Sequence, residues 1–375
     1  MKDITEDQFK NKYFKWFQVF GFEMIHVQPS TMKQKIKTFA KNFYFWFVIL
    51  SQFLHLTLIL TNGIKKWRQL NNIILSLPVT SQTVIVIFRI LTVNKHRTNI
   101  VEIFEIFYEK LKQIDHEKFK VDMYFKEISK FNRVGLILVV TLVQLGYILY
   151  STVSFFVNGT AEFPVNIWLP FDHTDWRVYW CIQFWLFWVV FNIIIISFAM
   201  DSLLFSIITI TGLIFDELKA EIEAFGMEIT MEEINTVVKK HDEALEIVGK
   251  LEEMYAPTFL FLILQSSVSI CSITFELVAS NVASEIAFYV PALVKACLQS
   301  FICCHLGQKL TDSCKEIAQG AYNCDWPNFK DIKMGKAILM IMKRSQRSKV
   351  LSALKFRQMT HKCFKTVYKF KMTTI

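Results

Sequence analysis

Apolar positions along this chain fall into long unbroken blocks rather than the short alternating runs of half-buried strands. A helix needs about 20 residues without charge to cross a hydrocarbon core about 30 Å thick. Five such stretches run through 43–61, 69–88, 134–157, 178–200 and 254–275. A sixth, 286–308, holds one charge, Lys295, whose stem can snorkel or whose ammonium a neighbouring helix can pair. The pattern predicts an all-α, polytopic membrane helical bundle. Beyond it, 337–342 and 350–354 are short apolar runs among Lys and Arg, so a seventh crossing has only a short, basic segment to draw on.

The blocks between crossings have periodicities of their own. Residues 94–133 mix 9 basic and 7 acidic side chains with Ile100, Ile103, Phe104, Phe107 and Leu111 at helical spacing, which predicts helix continuing out of the bilayer. Residues 203–251 repeat this with an acidic excess and a break near 225–230. Residues 9–22 interleave Lys10, Lys12 and Lys15 with aromatic rings, the pattern of a helix lying in the membrane surface or packed on the bundle. The 158–177 loop, with Pro164, Pro170, Trp168 and Trp176, reads as a folded lid. No repeat or flexible linker divides the chain, so one domain is expected: an amino-terminal region to residue 38, six crossings over 39–308, a polar stretch over 309–349 and a last helix over 350–375.

Charge sets the orientation, because Lys and Arg are retained in cytoplasmic loops. The residues before the first crossing, 1–42, and the stretches 94–133, 214–253 and 309–349 hold 8, 9, 4 and 9 basic residues, against 3, 1 and 0 in the alternate loops. The amino terminus is therefore expected in the cytoplasm, and the sequon Asn158-Gly159-Thr160 falls on the expected outer side as a glycosylation site. The polar, basic first 38 residues do not read as a signal peptide. Composition agrees with a membrane protein, at 53% hydrophobic residues and a mean hydropathy of +0.33. Basic loops facing anionic lipid account for the net charge of +9 without a nucleic-acid partner. The eight cysteines lie mostly within crossings or on the inner side and suggest no disulfide framework. No phosphate loop, metal-spaced His/Cys cluster or nucleophile elbow is present, so neither catalysis nor a cofactor or metal is expected.

Four charges fall near the bilayer interior. Arg89 and Asp201 are expected at inner helix ends, solvated by head groups, while Glu276 and Lys295 are expected in structural pairs or snorkelling. More informative is the lining offered by the outer halves of the second, third, fourth and sixth crossings. Leu75 and Val79, then Tyr147, Tyr150, Ser151 and Ser154, then Gln183, Phe187 and Trp188, then Tyr289 form a mostly apolar set with a few hydroxyls and one amide. That composition suits small-molecule recognition between helices, against the ordinary alternative of aromatic packing in a bundle. Pro78 offers a kink at the same level.

Near the sixth crossing the residues become specific. Phe301-x-Cys303-Cys304-x-x-Gly307, followed by Leu310, Ser313, Ile317, Ala318, Tyr322 and Trp326, resembles the pattern of insect odorant receptors. So do His241, Leu251, Ser266-Ser267, Cys271 and Phe275 around the fifth crossing, and 339–347 before the last helix. The resemblance implies seven transmembrane helices with a cytoplasmic amino terminus and four subunits around one cation pore. It also implies partnership with a shared odorant receptor co-receptor and a small volatile odorant, for which the aromatic lining suits an aromatic or heterocyclic compound. Ser313, Tyr322 and Trp326 would lie in a cytoplasmic anchor joining subunits, and Thr373 and Thr374 near the conduction path. Where the family has an apolar last half-helix, this chain has a short, basic one with Lys365, Lys369 and Lys371, which makes dependence on a partner subunit the expectation. An Asp/Glu-Arg-Tyr motif closing the third crossing, as in metabotropic receptors, is absent, and so is the last-helix pattern of gustatory receptors.

Overall fold

The computed structural model describes residues 6–19, 21–24, 31–68, 70–115, 118–119, 121–156, 163–171, 175–279, 283–346 and 351–372. Eleven helices run through them in the order α1 (Glu6–Val19), α2 (Met32–Lys65), α3 (Leu70–Lys95), α4 (Arg97–Gln113), α5 (Val121–Lys130), α6 (Leu136–Phe156), α7 (Trp176–Glu223), α8 (Met231–Ala279), α9 (Ala283–Asn323), α10 (Ile332–Gln346) and α11 (His361–Met372). Among the described residues six helical spans are long and apolar enough to cross a membrane, and they correspond to the six blocks of the sequence. α11, at 12 residues, is about 18 Å long and is the candidate seventh.

α7 is the axis of the molecule. From Val189 to Phe215 its apolar residues face neighbours almost all round, as the continuous runs Ile193–Ile196 and Leu203–Ile208 require, while Phe184 near its start stays exposed, and α7 packs against α9, α8, α6, α1, α5, α3 and α2. α2 instead keeps Phe39, Phe43, Trp46 and Leu50 exposed, the surface of a helix facing lipid. Thr31 caps α2 by accepting a hydrogen bond from the Gln34 N–H while the Gln34 side chain accepts from Thr31 N–H, a reciprocal capping box. α5 runs into α6 through a π-helical turn at Phe131–Gly135, where Phe131 stacks on Phe205 at 4.1 Å and the missing side chain of Gly135 admits the Phe198 ring.

At one end of the bundle, the basic pole, α1, α4, α5, α10 and the extensions of α7, α8 and α9 form a charged layer. α1 is packed rather than laid on a surface: Phe9, Tyr13, Phe14 and Phe17 are buried, with Phe14 edge-on to Phe104 at 4.9 Å. The spaced apolar residues of 94–133 are buried as the periodicity requires, but the segment is two helices, α4 and α5, rather than one. The break in 203–251 lies at 224–230. Ion pairs tie the elements together, Lys110 to Glu243 at 2.9 Å, Lys250 to Glu102 at 3.0 Å and Lys240 to Glu221 at 2.8 Å.

Inside the bundle Arg89 is not solvated by head groups. It is 4% exposed and pairs with Asp201 at 2.8 Å, because isolating either charge in a dry interior would cost several kcal/mol. Gln299 donates to the second Asp201 oxygen at 3.0 Å, and Lys295 donates to Gln299 at 2.9 Å. One polar chain thus links α3, α7 and α9. A second, Ser197–Gln82–Gln265–Ser269, joins α7, α3 and α8.

Candidate ligand site

On α6, Tyr147, Tyr150, Ser151 and Ser154 fall at helical spacings of three and four and form one inward stripe. On α7, Tyr179, Ile182, Gln183, Leu186 and Val190 form the facing stripe. α8 adds Ile273 and α9 adds Phe288 and Tyr289, and these side chains make a buried cluster separate from the main core. Tyr147 is 2% exposed and sits edge-on to Phe187 at 5.8 Å, and Phe288 lies 5.9 Å from Tyr150 and 5.4 Å from Tyr289. Ring centroids at such distances in tilted or edge-on pairs are the favourable aromatic arrangement.

The polar groups of the cluster satisfy one another. Tyr147 Oη donates to Gln183 Oε1 at 2.6 Å, Ser151 Oγ lies 3.3 Å from the same oxygen, and Gln183 Nε2 donates to Tyr179 Oη at 2.8 Å. The exception is Gln144, one turn before Tyr147 on α6. It is 6% exposed, and neither of its amide atoms has a hydrogen-bond partner among the described residues. Residues 163–171 close the end of the site. Trp168 N–H donates to Leu58 O at 3.2 Å, Asn62 donates to Asn166 O at 3.3 Å, and Lys65 Nζ sits 3.6 Å over the Trp168 ring. From this segment Phe163 stacks on Tyr179 at 5.3 Å, and Ile167 and Leu169 pack against the cluster. The lid read from sequence is folded in this part.

Of the residues expected to line a pocket, Tyr147, Tyr150, Ser151, Ser154, Gln183, Phe187 and Tyr289 share this face of the bundle. Trp188 does not join them: one residue past Phe187 turns it about 100° round α7, and its ring lies 5.3 Å from Phe47 of α2. Val79 also lies apart, since α3 packs on α8, α2 and α7. The Leu75 side chain, Asn158, Thr373 and Thr374 fall outside the described residues. Phe288 is part of the cluster and Tyr179 is joined to it through Gln183 and Phe163, but neither was among the expected residues. Both had a signal: Tyr179 is one turn before Gln183, and Phe288 adjoins Tyr289.

Of the expected anchor residues, Ser313 is half-buried with its Oγ 3.7 Å from where a side chain on Gly212 would begin. Tyr322 is 65% exposed at the basic pole. Trp326 opens a short 3-10 turn and packs on the core.

Residues 69–372 match the family model described as 7tm Odorant receptor. Two Drosophila melanogaster chains, provisionally designated odorant receptors 92a and 85d, are 26% and 22% identical over 276 and 290 residues. Those matches cover 68% and 72% of this chain and 66% and 68% of the relatives, so they span about two thirds of the relatives' length. In three dimensions the fold is similar to the insect olfactory receptor OR5 from Machilis hrabei in complex with eugenol, with a TM-score of 0.82 at 14% identity over 98% of this chain and 97% of that one. The structure of the same receptor described without eugenol gives a TM-score of 0.77 at 13% identity, over 98% and 96% of the two chains.

Proposed function

This chain belongs to the 7tm odorant receptor family, and we propose that it is the odorant-binding subunit of a cation channel completed by a shared co-receptor subunit, with the basic pole in the cytoplasm. The observation that carries the reading is the aromatic cluster of Tyr147, Tyr150, Phe288 and Tyr289 around Gln183, closed by residues 163–171 at the pole away from the charged layer. Rings supply dispersion contact for a small volatile, and the hydroxyls and amides orient it. An aromatic odorant suits this lining, and eugenol in the related OR5 structure supports that class.

The other parts of the proposal follow the family's plan. Tyr322 and its neighbours Ser313 and Trp326 would meet the partner subunits at the basic pole. α11 would approach the conduction path, with Thr373 and Thr374 following it in the sequence. Being short and carrying Lys362, Lys365, Lys369 and Lys371, α11 is poorly suited to build a pore from four copies of itself, which favours a mixed channel. The test is co-expression with an insect odorant co-receptor in cells recorded under voltage clamp. The expected result is an odorant-evoked cation current that neither subunit alone reproduces. No current across a broad volatile panel, with both subunits at the surface, would overturn the proposal.

A further inference from the structure

α11 begins at His361, beside His305 of α9. His305 Nδ1 and His361 Nε2 face each other 3.4 Å apart, with ring centroids at 5.3 Å. Phe301, one turn before His305, stacks on it at 5.9 Å and lies equally far from His361, so an apolar ring backs both imidazoles. An N–H···N hydrogen bond runs about 2.7–3.2 Å, and this separation is long for one. Two nitrogens bound to one tetrahedral zinc ion, each about 2.0–2.1 Å from the metal, lie about 3.3–3.4 Å apart. The spacing is that of one edge of a coordination tetrahedron. His305 lies at the basic-pole end of the sixth crossing, one turn before the part-exposed Lys309–Glu127 pair, and His361 is half-buried, so an ion reaches them from the aqueous layer at that pole and water can fill the remaining positions. Lys309, one turn beyond His305, would repel a cation, but Glu127 holds it at 3.2 Å and offsets its charge.

We propose that His305 and His361 form a two-imidazole site for a divalent first-row transition ion, Zn2+ foremost, that ties the start of α11 to α9. Imidazole nitrogen selects such ions over Mg2+ and Ca2+, which take oxygen ligands. Among the described residues no group of three or more His, Cys, Asp or Glu side chains is placed to hold a metal. The site is therefore an open one with exchangeable water, able to load and unload rather than hold the fold together. It occupies the junction where the chain turns from the short antiparallel hairpin of Ser352–Ala353 and Arg357–Gln358 into α11, so a bound ion restrains the movement of α11 relative to α9.

The test uses the full-length protein purified in detergent, stripped with chelator and titrated with Zn2+ against a chromophoric indicator. The wild type is expected to take up one ion per chain more than the His305→Ala/His361→Ala double variant. Either single alanine variant should lose that ion, while His361→Cys should keep it because a thiolate also ligates zinc. Excess Ca2+ should not compete, and His96→Ala should behave as wild type. Equal uptake by wild type and double variant, or displacement by Ca2+, overturns the proposal. The readout needs no odorant response, so its failure is distinct from failure of the channel reading.

Discussion

Gln144 brings into the bundle a donor and an acceptor that no described residue satisfies, while its neighbours Tyr147, Ser151 and Gln183 are bonded to one another. An unpaired buried amide costs roughly 1–3 kcal/mol. A ligand hydroxyl or carbonyl that reached it would recover part of that cost. Gln144→Leu is therefore expected to stabilise the ligand-free protein by about 1 kcal/mol, read as a higher unfolding midpoint. It should also weaken responses to alcohols, phenols and carbonyl volatiles by roughly tenfold, since about 1.4 kcal/mol is one decade, while leaving hydrocarbon agonists unchanged. Dose–response curves for matched pairs of volatiles check this, and equal shifts for both classes would reject a polar contact at Gln144. At this scale the sequence is informative about faces and silent about partners. Periodicity puts Gln144, Tyr147, Ser151 and Ser154 on one stripe, but which of them lacks a partner depends on α7 and α9. Phe187 and Trp188 make the same point, since adjacent residues of similar chemistry point at different helices.

Between elements, the hairpin comes close to α9 at a glycine. β1 (Ser352–Ala353) pairs antiparallel with β2 (Arg357–Gln358), and the turn between them places Leu354 and Lys355 at φ of 49° and 61°, a left-handed conformation that non-glycine residues seldom adopt. The chain leaving β2 crosses α9 at Gly307, where an added Cβ would run into the Met359 carbonyl oxygen and come within 2.8 Å of its Cβ. Because the clash is with backbone, no rotamer change relieves it. Gly307→Ala is expected to cost roughly 3 kcal/mol and to shift α11, lowering both the unfolding midpoint and surface delivery. Gly63→Ala is the contrast: nothing lies within 4 Å of its Cβ position, and alanine in a helix gains up to about 1 kcal/mol. Equal behaviour of the two variants would mean that the hairpin does not bear on α9. Element ends were legible where composition changes, as at 224–230, and illegible where a buried partner hides a charge. A search for uncharged runs stops the second crossing at Phe88, whereas the apolar span of α3 runs Ser76–Lys95. It passes through Arg89 because Asp201, far along the chain, neutralises it.

For the molecule as a whole, α7 supplies a ruler. Tyr179 stacks on Phe163 at the lid, and Phe198, 19 residues on, meets Trp16 of α1 edge-on at 5.8 Å. At about 1.5 Å per residue the two contacts are about 28 Å apart, close to the roughly 30 Å of a bilayer core. That spacing favours placing the lid and the amino-terminal helix on opposite sides of the membrane, and charge bears on which side is which. The ion pairs that link α4, α5, α7, α8 and α9 at the basic pole are part-exposed, their carboxylates more than most of their lysines, and suit a watered layer. Its lysine and arginine excess, 8, 9, 4 and 9 against 3, 1 and 0, argues that this watered layer is retained in the cytoplasm during insertion. An epitope tag placed before Lys2 should then be stained only in permeabilised cells, and Asn158 in Asn158-Gly159-Thr160 should carry a glycan that a glycosidase removes and Asn158→Gln abolishes. Staining of the tag on intact cells would invert the topology. It would also leave the lid and the aromatic cluster beneath it facing the cytoplasm, on the wrong side for a volatile arriving from outside.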